Sequence, residues 1–109
     1  MTMESKLGRV KDALLTVTDN VGHYKAIDST DKYIVWAENG SGNPIRADNR
    51  CIQQVIRGTI DYFTKEENDA NVDNIQEALD DAEIFYHLET VQYENETAFI
   101  HYVWIWEVE

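Results

Sequence analysis

Three histidines and a single cysteine are the side chains of this chain best suited to bind a metal ion or act as nucleophiles. They are His23, Cys51, His87 and His101. If the last two predicted strands pair with Tyr93 opposite Ala98, His87 and His101 lie three positions apart along the hairpin, or about 10 Å. Zinc ligands lie about 2 Å from their metal, so this spacing is poor for a shared site. Cys51 has no activating neighbour in the sequence, and we expect a small buried hydrophobic residue there.

Pairs of carboxylates are the second feature that could do chemistry, as general acids and bases or as calcium ligands. Close pairs occur at Glu66–Glu67, Asp80–Asp81 and Glu94–Glu96. Catalytic carboxylates need a pocket that shifts their pKa values, whereas these pairs lie in predicted turns or on the polar face of a predicted helix. The chain has neither a calcium-loop pattern nor a phosphate-binding glycine loop. We therefore expect no enzyme, no catalytic residue, no metal and no cofactor.

The charged residues are distributed very unevenly along the chain. The formal net charge is −12. Residues 1–65 hold all nine Lys and Arg together with eight acids, and residues 66–109 hold thirteen acids and no Lys or Arg. Tight phosphate binding needs clustered cations, so the second half argues against specific nucleic-acid binding. The second half is interpreted either as a solvated acidic face that keeps the protein soluble, or as an electrostatic surface that binds a partner or repels DNA.

Length and composition indicate one globular domain over residues 1–109. Apolar residues make up 43% of the chain and charged residues 28%, which is typical of a folded protein. A single cysteine excludes an internal disulfide and suits a reducing compartment. The N-terminus has no basic region followed by an apolar run, and no apolar run approaches the ~20 residues that span a bilayer. We expect a soluble intracellular protein with no membrane contact.

Two segments have the apolar spacing of an amphipathic helix. They span 3–18, with the stripe Met3, Leu7, Val10, Leu14 and Val17, and about 69–82, with the stripe Val72, Ile75, Leu79 and Ala82. Thr2 fits the N-cap of the first helix, and Asn68 or Asp69 that of the second. Gly8 weakens the first helix by about 1 kcal/mol relative to alanine, so tertiary packing must hold it.

Four further segments are rich in β-branched and aromatic residues and are predicted to be strands. They span 33–38, 50–64, 84–93 and 98–108. Gly58 is expected to mark a bulge or bend in the second of them. The segment 39–49 is predicted to be a loop, either a mobile spacer or a partner contact, and 21–27 could form a short strand. The order α-β-β-α-β-β predicts an α+β fold, a mostly antiparallel four-stranded sheet with two helices packed on one face.

The last strand is apolar on both of its faces, because alternate residues point to opposite sides of a sheet. One face carries Ile100, Tyr102, Trp104, Trp106 and Val108, and the other Phe99, His101, Val103, Ile105 and Glu107. We expect the first set to face the helices. The second set is then either a concave lining of the domain or a surface that a neighbouring subunit covers.

Two stretches resemble small prophage tail proteins of Gram-positive hosts. They are 33–38 together with Ala47-Asp48-Asn49, and 58–65. The order of elements is also similar to the phage tail-terminator and tail-completion fold. The resemblance implies no enzyme. It implies a protein of the virion tail, found in the host cytoplasm during assembly, which forms a ring, commonly hexameric, that caps the tail tube and contacts other tail or connector proteins.

A ring needs a contact between two different patches, and the segregated charge suits one. Lys6, Arg9, Lys11, Arg46 or Arg50 could meet the acidic second helix of a neighbour. Candidate interface residues are Arg46, Arg50, Asp73, Glu77, Asp80, Asp81, His101, Val103 and Ile105. The alternative, from another class, is a monomeric acidic binding module of the inhibitor or DNA-mimic type for a basic protein.

Overall fold

The fold is α+β, with two helices and seven strands in the part of the chain described. A computed structural model describes residues 2–41, 45–47 and 50–109, with side chains at 2–40 and 54–109. The helices are α1 (Met3–Leu15) and α2 (Ala70–Asp81). The strands are β1 (Val21–His23), β2 (Lys32–Ser41), β3 (Ile45–Ala47), β4 (Arg50–Gln53), β5 (Ile56–Thr64), β6 (Phe85–Glu94) and β7 (Phe99–Val108).

The main sheet has five strands in the order β1-β2-β5-β7-β6. Its four long strands run antiparallel to their neighbours, whereas β1 lies parallel to β2, with Val21 beside Ile34 and His23 beside Trp36. The expected α+β class and its two helices are confirmed. The four-stranded sheet was wrong, because the short segment after α1 adds a fifth, parallel strand at the edge of β2 and makes the sheet mixed.

The region between β2 and β5 differs from the sequence prediction. Strand β2 continues to Ser41, and β3 pairs with β4 as a separate two-stranded sheet, where a loop over 39–49 was expected. The strand expected over 50–64 is divided into β4 and β5. Gln54 lies at this break, and its main-chain oxygen accepts a hydrogen bond from Nζ of Lys6 at 2.7 Å instead of a ladder bond. The parts of the predicted loop at 42–44 and 48–49 lie outside the described residues.

Both helices begin at capping residues that the sequence indicated. The Thr2 side chain accepts from the Ser5 amide, and the Asp69 side chain accepts from the Asn71 amide. Helix α1 ends at Leu15, three residues before the predicted end, because the Thr16 hydroxyl donates to the Ala13 oxygen at 2.6 Å and closes the last turn. Helix α2 differs from its predicted span by one residue at each end.

The core lies between the helices and one face of the sheet. It contains Val10 and Leu14 of α1, Ile75 and Leu79 of α2, and Ile34, Trp36, Ile60, Tyr62, Trp104, Trp106 and Val108 of the sheet. Trp104, Trp106 and Val108 are fully buried, so the expected helix-facing side of the last strand is confirmed. Both helices therefore pack on the same face, and the opposite face carries neither of them.

The β6–β7 hairpin has a different register from the predicted one. Tyr93 lies opposite Ile100 rather than Ala98. The shift arises in the turn, where Ala98 adopts the left-handed region (φ 64°) and its amide donates to the Glu94 oxygen at 2.8 Å. A bulge between Leu88 and Thr90 shifts the register once more.

Candidate functional site

The face of the sheet that carries no helix of the described chain is the first candidate surface, called here the open face. It is formed by Tyr33, Val35, Ala37, Thr59, Asp61, Phe63, Phe99, His101, Val103 and Ile105. All of these residues are partly exposed. Three residues of the sequence-predicted interface, His101, Val103 and Ile105, lie here side by side on β7. The open face is mostly apolar, because alternation along β2, β5 and β7 places aliphatic and aromatic residues on it as well as in the core.

Aromatic rings cover one end of the open face. The rings of Tyr33 and Phe63 stack at 4.5 Å between centroids, and Phe63 stacks on His101 at 4.1 Å. Phe99 meets Tyr33 edge-on at 5.6 Å, and Nζ of Lys65 lies 5.0 Å from the Phe99 ring centre. Aromatic side chains have few rotatable bonds, so this end presents a large contact area that loses little entropy when it is covered.

One titratable pair lies at the edge of these rings. Nε2 of His101 is 2.8 Å from Oδ2 of Asp61 on the neighbouring strand, and Nδ1 is 3.7 Å from Oε2 of Glu94. The His101 side chain is 18% exposed and that of Asp61 29%. A histidine–carboxylate pair can serve as a general base when substrate is held beside it. This pair lies on a sheet surface, and the larger clefts described are lined by other residues. It therefore fits an interface better than an active site.

The acidic residues predicted for the interface lie on the opposite layer. Asp73, Glu77, Asp80 and Asp81 are all exposed on α2, on the helix side of the sheet. Asp80 accepts a hydrogen bond from the Tyr86 hydroxyl at 3.2 Å, and burial together with this bond raises the pKa of Tyr86. The predicted set is thus divided between two surfaces. Arg46 and Arg50 belong to β3 and β4, where the side chains lie outside the described residues.

Two of the cations that could have met a neighbour's acidic helix bind main-chain oxygens of their own chain. Arg9 donates to the oxygens of Ala82 at 2.9 Å and Glu83 at 3.4 Å. Lys6 is buried and donates to the Gln54 oxygen. Arg9 thereby supplies the positive charge that the acidic C-terminal end of α2 lacks. These contacts connect α1 to the C-terminal end of α2 and to the start of β5.

A second surface, which the sequence did not indicate, is a cleft beside α1, called here the α1 groove. It has a volume of about 590 Å³ and is lined by Met3, Leu7, Gly8, His23 and Trp36, with Glu4, Lys11 and Asp12 at its rim. A Cβ placed on Gly8 would have no neighbour within 4 Å. The missing side chain of Gly8 therefore leaves the groove open, and packing inside the chain does not require a glycine there.

The outer wall of the α1 groove is a fixed aromatic stack. The His23 ring lies 4.0 Å from Trp36 and 3.9 Å from Tyr24. Glu38 is 2.7 Å from Nε2 of His23 and accepts a hydrogen bond from the Tyr24 hydroxyl. Burial of Glu38 opposes its ionisation, but the bonds from Tyr24 and His23 outweigh it and hold its pKa below the usual value. The bond to Glu38 raises the pKa of Tyr24.

A third surface is the outer edge of the sheet, where three exposed apolar side chains form a line called here the β6 stripe. Leu88, Val91 and Tyr93 are 44%, 50% and 61% exposed. They face the helix side, since they lie opposite Trp104, Tyr102 and Ile100. The bulge at Glu89 places Leu88 and Val91 on one face, although their spacing of three would separate them in a regular strand. The sequence carried no signal for this bulge.

Neither a metal-ligand cluster among the described residues nor a similarity to a known protein indicates what these three surfaces bind. Among the described residues, no group of three or more His, Cys, Asp or Glu is placed to hold a metal ion. The helices in the described part of the chain are too short or too polar to cross a membrane. No protein-family model matches the chain, and no curated protein is significantly similar to it.

Proposed function

We propose that this chain is a structural, non-enzymatic protein of a phage or prophage tail, of the tail-completion or tail-terminator type. In this role it assembles into or onto a ring at the head-proximal end of the tail tube. Its places of action are the virion tail and the host cytoplasm during assembly. The observation that carries the proposal is the open face, a mostly apolar sheet surface on which neither helix of the described residues packs. We assign this face to the contact with another tail or connector protein.

The size of the open face supports a contact that is one part of a larger assembly. Three strands about 4.8 Å apart and about six residues long give a patch of roughly 300 Å². A stable interface covers roughly 800 Å² on each partner. The open face supplies about a third of that area, as expected for a subunit that also contacts copies of itself through other surfaces.

The charges at the edge of the open face restrict which partner fits it. A protonated His101 can balance only one of the two carboxylates beside it, Asp61 and Glu94. Covering a carboxylate without a partner is costly. The covering protein is therefore expected to bring a lysine, an arginine or a row of main-chain amides to this point, and apolar side chains over Val103 and Ile105.

Light scattering over a concentration series, negative-stain imaging and co-sedimentation with purified tail tubes test the proposal. We expect a ring or a ring precursor at high concentration and co-sedimentation with the tubes. A strict monomer that also fails to bind the tubes would overturn it.

A second candidate function follows from the exposed acids of α2. Asp73, Glu77 and Asp81 project from the helix layer in a half of the chain that has no Lys or Arg. A monomer that presents such a surface suits a basic protein partner. In that case, Glu77→Lys with Asp81→Lys abolishes salt-sensitive capture of a basic protein, while Val103→Asp leaves it intact. The opposite pattern favours the tail protein.

A further inference from the structure

We propose that the β6 stripe of one copy packs into the α1 groove of a second copy, so that the chain assembles head to tail. This inference names the self-contact of the ring proposed above and rests on that proposal for its biological role. The two surfaces lie at opposite edges of one sheet, because β1 and β6 are its outermost strands. The groove is beside β1 and β2, and the stripe is on β6.

The two surfaces are similar in character and differ in length by about 5 Å. The groove runs along α1 from Met3 to Lys11, which is about 12 Å at the rise of a helix. The stripe runs along β6 from Leu88 to Tyr93, which is about 17 Å at the rise of a strand. Both are apolar at the centre, and Met3 at the end of the groove is 50% exposed.

Two local features favour a function for these surfaces over chance exposure. Gly8 is a helical residue at which a Cβ would meet nothing within 4 Å, so an alanine would fit the chain itself. On β6, the bulge at Glu89 aligns Leu88, Val91 and Tyr93, which a regular strand would divide between two faces. Each feature costs local regularity, and each enlarges one of the two apolar surfaces.

Charge favours a contact between different patches over a contact between two β6 edges. The carboxylates of β6 are Glu89 and Glu94, and residues 66–109 contain no Lys or Arg. Two copies that met edge to edge would place these acids against one another. The groove instead carries Lys11 between Glu4 and Asp12, and Lys11 forms no ion pair with the described residues around it. In the proposed contact a β6 acid lies at Lys11, a cation on a rim that also carries Glu4 and Asp12, whereas a contact between two β6 edges would bring acids alone.

A contact between two different patches repeats from copy to copy. It closes into a ring if the rotation between neighbours closes, and it forms a filament otherwise. Such a contact can be distinguished from a two-fold dimer by mixing two variants. A copy with a filled groove still has an intact stripe, and a copy with a damaged stripe still has an intact groove. Either variant alone therefore cannot form the contact. A mixture of the two can form it once, between the intact stripe of one copy and the intact groove of the other.

The experiment is sedimentation velocity on the purified full chain, with Gly8→Leu and Val91→Lys as the two variants. Gly8→Leu puts an apolar side chain into the groove from a position whose Cβ meets no atom of its own chain within 4 Å, and Val91→Lys places a charge at the centre of the stripe. We expect each variant alone to assemble at least about tenfold more weakly than the wild type. An equimolar mixture should form a 1:1 complex and stop there.

The matched control is Thr90→Lys, which makes the same change in charge on the same strand but on the other side of the sheet, next to Val103 of the open face. It should self-assemble like the wild type. Circular dichroism melts verify that all variants fold, and Leu88→Gln replaces Val91→Lys if that variant is unfolded. The inference is overturned if Gly8→Leu alone assembles like the wild type, if the mixture stays monomeric, or if the wild type is a monomer. A wild type that is monomeric yet binds tail tubes overturns only this contact, whereas one that does neither overturns the proposed function as well.

Discussion

The indole of Trp106 occupies the space that a side chain at position 58 would need. A Cβ on Gly58 would lie 2.4 Å from Cζ2 of Trp106 and 2.1 Å from the main-chain oxygen of Ala37. Trp106 is fully buried, and its Nε1 donates to the Thr59 oxygen at 3.0 Å. Gly58 is therefore required for the close approach of the ring. The bulge expected at Gly58 lies instead in the neighbouring strand, between Glu38 and Gly40.

Gly58→Ala should be strongly destabilising, because both contacts are with atoms that cannot move aside cheaply. Overpacking of a core costs about 1–3 kcal/mol and occasionally more, and we expect the upper part of that range. The matched control is Gly8→Ala, which meets no atom within 4 Å and should stabilise the helix by about 1 kcal/mol. Urea unfolding of both variants checks the prediction. A Gly58→Ala protein as stable as the wild type would contradict the packing described.

The carboxylate of Asp69 should make the stability of the domain depend on pH. Asp69 is 4% exposed and accepts from the hydroxyls of Tyr62 at 2.6 Å and Thr64 at 2.7 Å and from the Asn71 amide at 2.9 Å. Burial alone would raise the pKa of Asp69, but these bonds and the Lys32 ammonium lower it below the usual value. Stability from a lowered carboxyl pKa is fully present above the unfolded pKa of about 3.9 and is lost as the pH falls through the folded value.

We therefore expect Asp69→Asn to lose about 1.5–3 kcal/mol near neutral pH, the usual cost of removing hydrogen bonds to a charged group. The difference from the wild type should begin to shrink below about pH 4, where the carboxylate becomes protonated in the unfolded chain, and should be smallest below the lower pKa of the folded protein. Urea melts at a series of pH values measure it. Glu77→Gln, an exposed change on the same helix, should stay within about 0.5 kcal/mol. A difference that does not vary with pH would contradict the role given to the charge.

Arg9 should hold the C-terminal end of α2 in place. Its guanidinium binds the Ala82 and Glu83 oxygens, at a helix end that has no basic residue of its own. Arg9→Ala should cost about 1–2 kcal/mol and should speed hydrogen exchange of the amides at 82–84 more than elsewhere. Lys11→Ala, an exposed change on the same helix, is the control and should leave exchange at α2 unaltered. Uniform exchange across the domain in Arg9→Ala would refute a local role.

The sequence predicted those parts of the fold that depend on periodicity. The stripe of α2 and the alternation of β7 gave the span of the helix and the buried face of the strand, because burying an apolar side strongly constrains both. The register of the last hairpin could not be predicted from the sequence. It depends on the left-handed conformation of Ala98, a residue that rarely adopts it, and on a bulge at Glu89.

The candidate surfaces were predictable only in part, for a related reason. His101, Val103 and Ile105 follow from alternation once the helix-facing side of β7 is assigned. The α1 groove depends on a side chain that Gly8 lacks and on the position of the three-residue strand β1, whose pairing arises from tertiary contact. Arg9 and Lys6 were considered as partners for the acidic helix of a neighbouring subunit, because sequence alone does not distinguish a contact within the chain from one between chains.

Val103→Asp should separate the function of the open face from the stability of the fold. Val103 lies at the centre of that face, partly exposed, opposite Asp61 on β5. A new carboxylate there adds charge to an apolar contact, and we expect co-sedimentation with tail tubes to weaken by at least about tenfold. The thermal midpoint of the monomer should fall by only a few degrees, because the new carboxylate lies opposite Asp61 but still reaches water, and a circular dichroism melt verifies that the variant folds. Leu15→Asp makes the same change at an exposed apolar residue of α1, away from the open face, and should bind like the wild type. Equal binding by Val103→Asp and the wild type would remove the open face from the tail contact.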